Sequence, residues 1–188
     1  EEQGFKFNNN SAQKELIDFL LDRLKYYMRE KNFRNDIIEA SIKSADLNNI
    51  IIIYKKALSL NKVIDQQMGS DIISSYKRAS SILESELKDK TLEISNITDP
   101  GIFKNEYEKN LYKKIKQLKK YFENINKDEN YNETLVNLAG LKNEVFEFFD
   151  NVIVNDSDKT IKKNRLELLE MLCKTFDNYI NFSNIESI

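Results

Sequence analysis

The chain has 188 residues, of which 40% are hydrophobic and 32% charged, and its 29 basic and 31 acidic side chains give a net charge of −2. It contains no histidine, which excludes histidine-based acid–base catalysis and most zinc sites. Because the net charge is nearly zero, any contact with nucleic acid must come from a local basic surface.

Few residues favour turns, since the chain has only four glycines and one proline. Apolar residues recur at helical spacing, and we predict an all-α bundle of about seven helices. Residues 1–10 are predicted to be a linker from an earlier part of a longer chain, and residues 11–188 to be one helical domain. No apolar run reaches the roughly 18 residues of a membrane span, and no signal peptide is visible, so we expect a cytoplasmic protein without membrane contact.

The predicted helices begin at residues that commonly cap helix N-termini. Asp99-Pro100 is the strongest such boundary, because proline at the first helical position lacks only an N–H that would be unpaired anyway. Asn130 and Glu133 are predicted to form a capping box ahead of one helix that reaches Phe149. The predicted starts, in chain order, are Asn10, Asn35 or Asp36, Asp46, Ser70 or Asp71, Asp99-Pro100, Asn130 and about residue 158.

The sequence shows no equipment for catalysis. It has no carboxylate pair, glycine-rich phosphate loop or metal-ligand spacing, so we expect neither a catalytic residue nor a metal or cofactor in this domain. Cys173 has no second cysteine to pair with, and it lies in a helical apolar pattern with Leu172 and Phe176. We predict that it is a small buried core residue.

Two groups of cations stand out along the helices. Lys77 and Arg78 lie beside an apolar stripe, either as a solvated helix edge or as donors for RNA phosphates or bases. Further on, spacings of four, three and four residues place a set of lysines on one helical face, either as solubilising surface or as a hypothetical phosphate track. With the neighbouring Lys114 and Lys119 they make the most basic segment of the chain, and they are Lys109, Lys113, Lys116 and Lys120.

A third group occupies the corner between the last two predicted helices. Phe148 and Phe149 end one helix, and residues 152–154 are apolar and predicted to fill the core at the turn. Arg165 falls on or beside the buried stripe of the last helix, so it needs a partner, and Asp150 is one candidate. The corner is either a buried ion pair or a pocket for an unstacked base of single-stranded RNA.

A resemblance to a known family rests on three segments: FLLDRLKYYMREKNFRNDIIEASI (19–42), SYKRASSIL (75–83) and LAGLKNEVFEFFDNVIVNDSDKTIKKNRLELLEML (138–172). Together they resemble the C-terminal region of the beta subunit of bacterial heterotetrameric glycyl-tRNA synthetases, which carries an anticodon-binding domain of the DALR type. The resemblance covers about residues 16–183, and the middle part, 88–130, matches only in helical character.

The resemblance implies an anticodon-binding domain that supports ATP-dependent attachment of glycine to tRNA-Gly. The alpha subunit would catalyse that reaction with ATP and Mg²⁺, in a tetramer of two alpha and two beta subunits. Glycine anticodons share two cytosines. The amino group of cytosine can donate to a carboxylate, and its ring nitrogen and carbonyl can accept from Lys or Arg. The alternative is a helical protein–protein interaction module without an RNA role. The predicted RNA contacts are Lys77, Arg78, Asp150, Asn151, Lys162, Lys163, Asn164 and Arg165.

Overall fold

The computed structural model describes residues 9–43, 49–88, 94–95, 97–124 and 130–186. In these ranges there is no β-strand, and 3-10 turns occur at Pro100–Ile102 and Phe182–Asn184. The all-α prediction is therefore confirmed. The α-helices of the described ranges are α1 Asn9–Glu30, α2 Asn35–Lys43, α3 Ile50–Val63, α4 Gln67–Leu87, α5 Glu106–Asn124, α6 Tyr131–Ala139, α7 Lys142–Asn151 and α8 Lys159–Asp177.

Helix α8 is the centre of the bundle. Its residues Leu166, Leu168, Leu169 and Leu172 are fully buried, although they project from several sides of the helix. A helix that is buried on several sides must be surrounded by others, and α8 packs against α4 and α5. Helix α7 lies against both α4 and α5, whereas α1 packs on the outside of α2 and α3. Each buried leucine contributes about 1.5–3 kcal/mol of hydrophobic stabilisation.

The predicted helix from Asn130 to Phe149 is two helices. Asn130 caps α6 as predicted, since its Oδ1 accepts from the Glu133 N–H at 3.2 Å. The return bond to Glu133 Oε2, at 3.2 Å, comes from the Asn130 side-chain Nδ2 and not from the backbone N–H of a capping box. The prediction of one continuous helix is wrong, because the chain turns at Gly140 and Leu141, where the Gly140 N–H bonds Val136 and the Leu141 N–H bonds Leu138. This turn leaves Leu141 fully buried and separates α6 from α7.

Other predicted boundaries are shifted. Asp99 accepts a hydrogen bond from the Gly101 N–H at 2.8 Å, but it caps only a 3-10 turn. Helix α5 begins later, after Asn105 accepts from the Glu108 N–H at 3.0 Å. Its N-terminus therefore lies six residues beyond Pro100, so the predicted helix start at Asp99-Pro100 is wrong.

Helix α4 begins at Gln67, before the predicted Ser70 or Asp71. Its early start depends on Gly69, where a Cβ atom would lie only 2.3 Å from the backbone oxygen of Ile64. The predicted cap Asp46 lies outside the described residues, and Asn49 caps α3 by accepting from the Ile52 N–H at 3.2 Å. Of the predicted linker, residues 1–8 are also outside the described ranges, and α1 begins at Asn9.

The C-terminal residues are held against α2 by Arg34 and Asp36. The Arg34 guanidinium donates to Asp36 at 2.7 Å, and the Glu186 N–H donates to the same carboxylate at 2.9 Å. Burial raises the pKa of Asp36, but these hydrogen bonds outweigh burial and hold the pKa below its usual range. A depressed carboxyl pKa stabilises the fold above the unfolded-state pKa of about 3.9, and this stabilisation is lost as the pH falls.

We therefore expect the free energy of unfolding to decrease as the pH is lowered through about 4, and to decrease less steeply in Asp36→Asn. Urea unfolding at a series of pH values measures both slopes. Asp65→Asn is a matched control, because Asp65 also bonds Arg34, at 3.3 Å, but its side chain is 75% exposed. Equal slopes for the wild-type chain and Asp36→Asn would contradict the prediction.

Candidate nucleic-acid interface

Arg78 forms a cation–aromatic cluster where α4 meets α7. Its guanidinium carbon lies 4.7 Å from the centroid of the Phe149 ring and 5.5 Å from that of Phe146. Its Nη2 donates to Asp150 Oδ1 at 3.2 Å. The Arg78 side chain is 38% exposed, so a planar cation is held on aromatic rings while remaining accessible to solvent. Aromatic rings and guanidinium planes are the groups on which proteins stack the bases of single-stranded RNA.

The adjacent phenylalanines Phe148 and Phe149 have different environments. Phe148 is fully buried, whereas Phe149 is half-buried. The two rings meet edge to face, with centroids 5.3 Å apart. The buried ring therefore supports the ring that carries Arg78.

Phe146 and Lys142 extend this cluster, and the sequence prediction did not include them. Lys142 Nζ lies 5.8 Å from the centroid of the Phe146 ring and 2.7 Å from Asp71 Oδ1. The spacing of Lys142, Phe146 and Phe149 is i, i+4, i+7, which places them on one side of α7. That spacing could have revealed the cluster, but Phe149 also fits the apolar stripe of the predicted helix, which hides its contact with Arg78.

Asp150 and Asn151 lie at the C-terminal end of α7. The Asp150 carboxylate is 65% exposed, and its partner is Arg78. The predicted candidate pair of Asp150 with Arg165 is therefore wrong. Asn151 is exposed, and its Nδ2 donates to the Glu147 carbonyl at 2.9 Å. Asp150 therefore borders the Arg78 cluster from the α7 side, whereas Asn151 bonds back to its own helix.

Arg165 is buried and belongs to another network. Its Nε donates to Glu108 Oε1 at 2.8 Å, and its Nη1 donates to Asp156 Oδ2 at 2.7 Å and to the Ile153 carbonyl at 2.8 Å. The second Glu108 oxygen accepts from the backbone N–H of Lys104 at 2.7 Å. Arg165 thus joins the start of α5 to the turn between α7 and α8.

This network also explains the apolar turn. Val152 and Val154 are buried as predicted, but the prediction for Ile153 is wrong, because its side chain is 77% exposed. Its carbonyl instead bonds Arg165. The Asp158 N–H and the Arg165 guanidinium hold the pKa of Asp156 below its usual range. Asp156, in the acidic turn after Val154, therefore helps to hold the Arg165 side chain inside the fold.

Asn164 is buried and fixes the segment before the first 3-10 turn. Its Oδ1 accepts from the Asp99 N–H at 2.7 Å, and its Nδ2 donates to the Asp99 carbonyl at 3.0 Å. One turn further along α8, Glu167 accepts from the Ser95 N–H at 2.9 Å. The oxygen and the nitrogen of the Asn164 amide both bond the backbone of Asp99. The side chain therefore holds this segment in position.

The family model for the DALR anticodon binding domain matches residues 72–188. The chain belongs to this family. The matched residues run from α4 to the end of the chain, and they include the Arg78 cluster and both buried networks around α8. Helices α1, α2 and α3 precede the matched range.

The chain is also similar to curated glycine–tRNA ligase beta subunits. It is 33% identical to that of Rickettsia felis over 183 residues, which cover 97% of this chain and 26% of the relative. It is 30% identical to that of Rickettsia prowazekii over 181 residues, with 96% and 26% covered. For Persephonella marina the identity is 31% over 171 residues, with 91% and 23% covered. The chain thus spans about a quarter of the length of these relatives, and the resemblance seen in the sequence is confirmed.

The remaining predicted contacts of this DALR domain lie apart from the Arg78 cluster. Lys77 follows Tyr76 on α4 but points to the C-terminal 3-10 turn, where its Nζ donates to the Ser183 carbonyl at 3.4 Å. Lys162 Nζ lies 2.5 Å from Glu86 Oε2 on α4. Lys163 is 40% exposed, and its Nζ lies 4.0 Å from Glu167 Oε1. The eight predicted residues therefore form several separate groups.

Three further findings concern Cys173, metal binding and membrane spans. Cys173 is buried as predicted, and burial raises the pKa of its thiol to about 12. Among the residues that the structure describes, no cluster of three or more acidic or cysteine side chains could hold a metal ion. None of the described helices is long and apolar enough to cross a membrane.

Proposed function

We propose that this chain is the anticodon-binding domain of a glycine–tRNA ligase beta subunit and that it binds the anticodon loop of tRNA-Gly. The supporting observation is the Arg78 cluster inside the matched DALR range, where a guanidinium lies 4.7 Å above the Phe149 ring beside the exposed carboxylate of Asp150. Such a cluster offers a stacking plane, donors and an acceptor in one place.

A cytosine base fits these groups. It would stack on the solvent-exposed side of the Arg78 guanidinium, whose carbon lies 4.7 Å from the centroid of the Phe149 ring. Its amino group would donate to Asp150. Asn151, on another side of the same helix end, would contact a neighbouring nucleotide. Lys77, Lys162 and Lys163 would contact phosphates. Because Asn164 and Arg165 are buried and bonded to the protein, they would hold the turns around α8 in place rather than contact RNA.

In this proposal the domain itself catalyses no reaction. Glycine activation with ATP and Mg²⁺ would take place on the alpha subunit of a cytoplasmic tetramer of two alpha and two beta subunits. The domain would contribute affinity for the correct tRNA, which places tRNA-Gly in reach of that catalytic subunit.

One observation favours the alternative of a protein–protein interaction module. On α1, Leu16 is 57% and Phe19 is 53% exposed. Exposed apolar residues that lie together are typical of interaction surfaces. This surface precedes the matched range of the DALR domain, so an interaction through α1 is compatible with RNA binding through α4 and α7.

The test is binding of the 188-residue chain to the glycine anticodon stem-loop and to a stem-loop with both cytosines replaced. We expect each replaced base to weaken binding by about 1–3 kcal/mol. Fluorescence anisotropy over a salt series measures affinity and counts phosphate contacts separately. Arg78→Ala should remove the discrimination between the two loops. Arg23→Ala is a matched control, because Arg23 also stacks on a phenylalanine, Phe19 at 5.2 Å, but on α1. Equal affinity of the wild-type chain for both loops would contradict base recognition.

A further inference from the structure

Helix α5 presents a face of exposed lysines opposite its buried side. The buried side contains Leu111, Ile115 and Leu118, which are at most 5% exposed. The opposite side carries Lys109, Lys113, Lys116 and Lys120, all exposed. Their spacing repeats about every helical turn, so the charges extend over roughly 16 Å. We refer to these four residues as the lysine face.

Three of the four lysines, Lys109, Lys113 and Lys116, differ from several other basic positions in having no ion pair within the described residues. By contrast, the neighbouring Lys114 reaches Glu144 of α7 at 3.6 Å, and Lys142 reaches Asp71 at 2.7 Å. The charges of these three lysines are therefore directed to solvent, and Glu106 is the acidic residue one turn before Lys109.

The stability of α5 does not explain this arrangement. Like charges separated by three or four residues destabilise a helix, and the lysine face contains several such pairs. Lys109 also lies in the first turn of α5, where the helix dipole disfavours a cation.

The lysine face also lacks groups that stack on bases. Tyr112, next to Lys113, packs against Phe103 with ring centroids 5.5 Å apart, and Tyr121, next to Lys120, packs against Phe122 at 5.9 Å. A straight row of flexible ammonium groups without aromatic rings suits phosphates, whose recognition carries no sequence information.

We propose that Lys109, Lys113 and Lys116 bind the phosphate backbone of the RNA that the domain recognises, as a second contact separate from the Arg78 cluster. This proposal rests on the proposed function, since it assigns the RNA stem to α5 and the loop bases to α4 and α7. In this proposal the lysine face contributes affinity for any RNA stem, and the Arg78 cluster distinguishes between anticodon loops.

The test replaces Lys109, Lys113 and Lys116 by glutamine together, and measures binding to the two stem-loops described above over a salt series. We expect both loops to bind more weakly, on the order of tenfold or more at low salt, with the ratio between them unchanged. The slope of log affinity against log salt should fall by about 2–3, about one for each lysine. A second variant with arginine at the three positions should keep the wild-type affinity.

The matched control is the glutamine triple variant of Lys14, Lys55 and Lys62, which are exposed and carry the same total charge. An equal loss of affinity in both triple variants, or an unchanged salt slope in the first, would overturn the proposal. Binding to a stem without the anticodon loop separates the two proposals: if the chain binds this stem through the lysine face but does not discriminate between loops, only the base recognition fails. If the chain bound polyglutamate but neither stem-loop, the proposal that the lysine face binds phosphates would be wrong.

Discussion

Arg165→Ala should lower the free energy of unfolding by about 3–5 kcal/mol, the usual cost of removing one partner from a buried ion pair. Arg165 is 5% exposed, and its partner Glu108 is 1% exposed. Without the guanidinium, the Glu108 carboxylate would remain buried with only backbone donors, and the Ile153 carbonyl would lose its partner. The substitution therefore leaves unpaired polar groups inside the bundle.

Urea unfolding monitored by circular dichroism measures this free energy of unfolding. The control is Lys163→Ala on the same helix, because Lys163 is 40% exposed and lies 4.0 Å from its nearest carboxylate. Exposed ion pairs contribute about 0–1 kcal/mol, so the control should change stability little. A loss below about 1 kcal/mol in Arg165→Ala would show that the Glu108 pair does not hold the corner between α7 and α8.

Helical periodicity predicted most of this fold because most helices bury one stripe of their own residues, and even α8, which is buried on several sides, contains such a stripe. Leu168, Leu172 and Phe176 repeat at that spacing, and all three are fully buried. The same rule failed at Gly140, where the stripe continues across a turn: Leu138 and Leu141 are both fully buried although they belong to different structural segments. Because this turn preserves the spacing of the buried residues, the hydrophobic pattern of the sequence does not reveal where the helix ends.

Partners across the bundle could not be predicted, because they depend on how helices are arranged relative to each other. The sequence indicates that Arg165 needs a carboxylate, but its partner Glu108 lies 57 residues away on α5. Likewise, Lys77 and Arg78 are neighbours in sequence, yet one contacts Ser183 and the other Asp150. A helix turns by about 100° per residue, so adjacent side chains meet different neighbours.

Phe148 and Phe149 provide the second large expected effect, because substitution of each should affect a different property. Phe148→Ala should lower the free energy of unfolding by about 3–5 kcal/mol, since it creates a cavity in the core. Phe149→Ala should cost less stability, because that ring is half-buried. It should instead weaken binding of the glycine anticodon stem-loop by about 1–3 kcal/mol, the range for loss of a base-stacking group, because Arg78 loses the ring that holds its plane.

Urea unfolding and anisotropy measured on both variants distinguish these effects. Phe146→Ala is a useful comparison, because Arg78 lies farther from this ring, at 5.5 Å against 4.7 Å for Phe149. Its effect on binding should therefore be smaller than that of Phe149→Ala. If Phe149→Ala folds and binds like the wild-type chain, the aromatic support of Arg78 has no part in RNA recognition. A loss of discrimination between cytosine and replaced loops, with unfolding little changed, would locate base recognition at the edge of α4 and α7.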